Sequence, residues 1–80
     1  MYNVRSTQWN IVGPRVADAR RARKMNKDEL CEKLWDLGIE MYNYELFLLE
    51  GQERKVFDFE LVALAKALDV SLAWLMGQDE

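Results

Sequence analysis

Apolar residues in this chain recur three and four positions apart, in short segments that each end at their own stop signal. Val12, Val16 and Ala19 form one such face. Leu30, Cys31, Leu34 and Leu37 form a second, Leu46 and Leu49 a third, and Leu61, Leu64, Ala65 and Leu68 a fourth. No run alternates convincingly with the period of two that marks a half-buried strand. A helix of two or three turns is marginal alone in water and buries its apolar stripe only against a neighbour. The spacing therefore predicts short helices folded onto one another.

The punctuation places them. "GPRVADARRARK" reads as a first helix, with Pro14 in the first turn, where its missing N–H has no partner to lose. "NKDE" opens a second as a capping box, Asn26 capping and Glu29 reaching back, and Gly38 closes it in the left-handed position. After the turn "IEMYN", a third helix spans about Tyr42 to Glu50. Following the polar loop "GQERKVF", Asp58 is expected to cap a fourth helix, and Ser71 a short fifth, "LAWLMG". The expectation is one all-α domain over residues 11–77, with tails at 1–10 and 78–80.

Eighty residues, half of them apolar, suffice for one small core, burying roughly 60% of the unfolded chain's surface. The net charge of −3 hides a split. Residues 1–27 hold seven Lys or Arg against Asp18 alone, whereas residues 28–80 hold four basic groups against thirteen acidic ones. There is no His, and Cys31 is the single cysteine, so the side chains that build most metal centres and nucleophilic sites are missing. No glycine-rich phosphate loop is present either. These features predict no enzyme, cofactor or metal. No apolar run approaches the ~20 residues of a membrane span, and the first ten residues lack a secretory core, so a cytoplasmic protein is expected.

Beyond this pattern, four pieces carry a resemblance: "GPRVADAR", "KDELCEKL", "LLEG" at the end of the third helix, and "DFELVALAKALDVSLAWL". From Val12 to Gly77 the chain resembles the Cro/phage-repressor (XRE-like) helix-turn-helix family. The resemblance implies a compact five-helix, lambda-repressor-like DNA-binding domain. In that family the third helix enters the major groove of double-stranded DNA and the second lies across the backbone. Carried onto this chain, it puts Tyr42, Asn43, Tyr44, Phe47 and Leu48 opposite base edges and Lys27, Arg54 and Lys55 beside phosphates. It also pairs Arg20 with Glu50 as a structural ion pair, and it implies a homodimer.

Each assignment has a plainer counterpart. Lys27, Arg54 and Lys55 are equally read as solvated surface charges. Asn43 can bond adenine through its amide, or simply stand exposed at a helix start. Cys31 fits a small packed position. Phe47 and Leu48 depart from the family, which favours polar or basic side chains there. Gln52 stands where glycine is common, Glu53 where a base is common, and the connection "WDLGIEM" exceeds the shortest form of the motif.

Two functions follow as expectations. One is a DNA-binding transcriptional regulator reading the groove with the third helix. The other keeps the scaffold and turns the apolar face of that helix toward a protein partner, since aromatic side chains anchor protein interfaces.

Overall fold

Five helices pack around one core in the structure, a computed structural model that describes residues 8–78. They are α1 (Gly13–Ala22), α2 (Lys27–Asp36), α3 (Asn43–Glu50), α4 (Asp58–Leu68) and α5 (Leu72–Leu75). Helix α1 packs on α3 and α4, α2 packs on the same two, and α5 rests on α4. No strand occurs among the described residues. The all-α expectation holds.

Local chemistry starts and stops each helix. At α2 the Asn26 side chain accepts from the Glu29 backbone N–H at 2.8 Å, and Glu29 Oε1 accepts from the Asn26 N–H at 2.8 Å. The end of α2 closes as a Schellman turn: the Ile39 N–H reaches the Leu34 carbonyl at 2.8 Å and the Gly38 N–H that of Trp35 at 2.9 Å. Gly38 sits there at φ +88°, the conformation that favours glycine. Ser71 accepts from the Trp74 N–H at 3.0 Å and so caps α5.

Val12, Val16, Ala19, Leu30, Cys31, Leu34, Leu46, Leu49, Leu64, Ala65 and Leu68 are all buried, as their spacing requires, and Met41, Ala63 and Leu75 join them. Leu61, at the start of the fourth face, is half-buried and packs against that core, and two positions differ more clearly. Leu37, expected on the buried face of α2, is exposed, because the helix ends at Asp36 and Leu37 is already its C-cap. Ile39, beyond the glycine, packs against the core. Asp58, expected as the cap of α4, is its first helical residue, and Phe57 is the N-cap. The orphan donor there is met by Glu60, whose Oε1 accepts from the Phe57 N–H at 3.0 Å.

The segment read as a tail enters the fold before residue 11. Asn10 is buried, and its amide donates to the carbonyls of Leu49 at 3.0 Å and Arg54 at 2.8 Å. Its Oδ1 accepts from the Gly13 N–H at 2.8 Å. One side chain thus ties the start of α1 to the end of α3 and the loop beyond. Gln52 completes the clasp: its amide donates to the Asn10 carbonyl at 3.0 Å, and its own carbonyl accepts from the Trp9 N–H at 2.9 Å. Gln52 lies at φ +63°, which costs a non-glycine residue about 1–2 kcal/mol. Those two bonds offset that cost. The rest of the expected tail, residues 1–7, lies outside the described residues.

Candidate functional site

Arg20 and Glu50 meet across the α1–α3 interface. The guanidinium donates through Nε to Oε2 at 2.7 Å and through Nη2 to Oε1 at 3.0 Å, while Nη1 donates to the Met25 carbonyl at 2.9 Å. Both side chains are about nine-tenths buried. The hydrogen bond to Glu50 holds the Arg20 pKa above its ordinary value, so the guanidinium stays charged. Glu50 therefore faces inward and adds no repulsive charge to the outer side of α3.

That outer side is aromatic. Tyr42, the N-cap of α3, is 47% exposed, Tyr44 65% and Phe47 60%. Tyr44 stacks on Tyr42 with centroids 6.5 Å apart, and Trp35 of α2 meets Tyr42 edge-on at 5.7 Å. Three rings thus run from α2 onto α3 in one strip. Leu48 does not stand out with them. It is half-buried, because its position falls toward the side of α3 that packs on the domain.

Polar groups on this face already have partners. The Asn43 amide donates to Asp28 Oδ1 at 2.8 Å, so the group expected to bond adenine is held by a carboxylate. Tyr42 Oη donates to Glu40 Oε2 at 2.6 Å, and that bond raises the Tyr42 pKa. Glu45 Oε1 accepts from the Tyr42 N–H at 3.0 Å.

The three residues expected at phosphates are not brought together as a set. Arg54 is turned inward: Nη1 and Nη2 donate to Glu60 Oε1 and Oε2, both at 3.1 Å, and Glu60 is buried. Its charge is met within the domain by a buried carboxylate. Lys27 lies 5.9 Å above the Phe47 ring, and Lys55 lies 5.6 Å above Trp9. These two remain as separate surface cations.

Sequence reasoning missed Glu60, Asn10 and Asp28. Glu60 stands six residues from Arg54 with a loop and a helix start between, so no helical spacing joins them. Asn10 lies in a stretch without period. Asp28 lies within the capping segment "NKDE", whose local pattern gives roles to Asn26 and Glu29 only. The one available signal was Glu60 at the third helical position of α4, where acids commonly reach back to the cap.

Among the described residues, no group of three or more His, Cys, Asp or Glu is placed to hold a metal ion. Cys31 is buried, and desolvation pushes its thiol above the ordinary value, which suits packing and not attack. Neither a protein-family model, nor a curated protein, nor a solved structure matches this chain.

Proposed function

We propose that this domain is a protein-recognition module whose partner docks on the aromatic face of α3 and its junction with α2. One observation carries the reading: Tyr42 and Tyr44 stack in the open and Phe47 is exposed one turn on from Tyr44, while polar heads at the start of α3 are bonded to carboxylates of the same chain. Large aromatic side chains clustered on a surface are the usual anchors of a protein interface, and a partner that covers them gains the burial that water denies. A DNA groove presents the opposite requirement, since affinity there comes chiefly from cations meeting phosphates. Here Arg54 is consumed internally, and Asp28, Glu40 and Glu45 line the approach to the α3 tip.

A second reading, the DNA-binding regulator acting as a homodimer, draws on a different observation. Arg21 and Lys27 line one groove at the flank of α3, where a phosphate would lie, together with Phe47, Gly51 and the acidic Glu50 and Glu53.

Fluorescence anisotropy of a labelled random-sequence duplex, titrated with the full chain from low to physiological salt, separates the two. The protein-recognition reading predicts no binding at any salt. Binding that weakens steeply with salt, by about 0.9 log units per log unit of salt for each phosphate neutralised, would overturn it in favour of DNA.

A further inference from the structure

We infer that the groove between α2 and the start of α3 receives a basic segment of the partner protein, its Arg or Lys side chains laid against Trp35 and Tyr42. The groove has a volume of about 470 Å³, and none of its lining residues is basic. Its floor and corner are apolar: Met41 is buried beneath, while Trp35 and Tyr42 are each about half exposed. Their rings meet at 75° with centroids 5.7 Å apart, so two aromatic surfaces bound one corner. Trp35 is held in that position by its Nε1, which donates to the Met41 carbonyl at 3.0 Å. A cation seated in such a corner is attracted by the ring faces, and a guanidinium can also stack flat on one of them.

Charge identifies the occupant. Asp28, Glu32 and Asp36 stand at i, i+4 and i+8 along α2, hence on one face, and all three line the groove. Like charges at this spacing repel and weaken a helix. Among the described residues, no Lys or Arg forms an ion pair with any of them. A basic segment supplies the missing counter-charge. A purely apolar segment would strip water from three carboxylates without replacing it. Nucleic acid would be repelled by them.

The inference rests on the protein-recognition reading of the α3 face and adds the chemistry of the partner. Its test uses the full chain and two labelled peptides, one alternating Arg with Leu and one alternating Glu with Leu, followed by anisotropy. The Arg peptide is expected to bind and the Glu peptide not to bind. E32Q/D36N should weaken binding on the order of tenfold, because close charge pairs at an interface dominate dissociation. Trp35→Leu should weaken it comparably. D58N/D69N removes the same amount of charge from exposed positions outside the groove and should leave affinity within about twofold, as expected for screened distant charges. Equal losses in both double variants would mean a general attraction to an acidic chain and would overturn the inference. So would absence of binding, or equal binding of the Glu peptide. If any of these occurs while a crosslinker at Tyr44 still captures a protein, the groove assignment falls and the α3 reading stands.

Discussion

Arg20→Ala is expected to destabilise the domain by about 3–5 kcal/mol, the cost of leaving one member of a buried ion pair unpaired. The pair is bidentate, both side chains are about nine-tenths buried, and Arg20 also holds the Met25 carbonyl where the chain leaves α1 for α2. Removing the guanidinium strands the Glu50 carboxylate at the end of α3 and leaves that carbonyl without its donor. A domain of this size has only a few kcal/mol in reserve, so most of the population should unfold without any denaturant. Urea unfolding checks it: with a slope of roughly 1 kcal/mol per molar, the midpoint should fall by about 3 M or vanish. The double variant R20A/E50A should cost clearly less than the sum of the single ones, because neither charge is then stranded. A loss below about 1 kcal/mol for Arg20→Ala would show that water reaches the pair.

Gly13→Ala should also destabilise the domain, for a steric reason. The backbone of α1 begins hard against the end of α3, with the Gly13 N–H bonded to Asn10. A Cβ on Gly13 would overlap the Leu49 carbonyl oxygen and stand 2.8 Å from that of Glu50. Both are backbone atoms in a helix already fixed by Arg20 and Asn10, so α1 itself must move away. Overpacking of this kind costs about 1–3 kcal/mol or more. Gly51→Ala is the control. Its Cβ would lie 3.5 Å from the Phe47 carbonyl, an ordinary contact, so a change within about 0.5 kcal/mol is expected. Thermal unfolding of the two variants should therefore separate widely. Equal melting temperatures would contradict the close α1–α3 approach.

Helices and their ends were legible in the sequence because they depend on neighbours along the chain. Asn26 with Glu29, Gly38 and Ser71 each act within a few residues, and the 3–4 spacing of leucines marks the core directly. The candidate site was less legible because its chemistry depends on tertiary pairings. Arg54 reads as a free cation until α4 brings Glu60 beneath it. Asn43 reads as a free amide until α2 brings Asp28 alongside, fifteen residues earlier in the chain. Asn10 carries no periodic signal at all, yet it joins three segments. The aromatic face differs again. Tyr42, Tyr44 and Phe47 could be placed together from the sequence, and their exposure follows from Leu46 and Leu49 taking the buried side of α3. Trp35 joins them only through the turn that folds α2 back against α3.

Whether the α3 face meets a protein is read by placing a photo-crosslinking residue there, Tyr44→p-benzoylphenylalanine, in the full chain expressed in its native cells, with the same group at Val62 on α4 as control. Both positions are exposed, so the comparison isolates the surface. A discrete protein adduct is expected from position 44, one that survives nuclease, is absent from position 62, and disappears when Phe47→Glu is added. Nuclease-sensitive adducts at position 44, or no difference between the two positions, would contradict it.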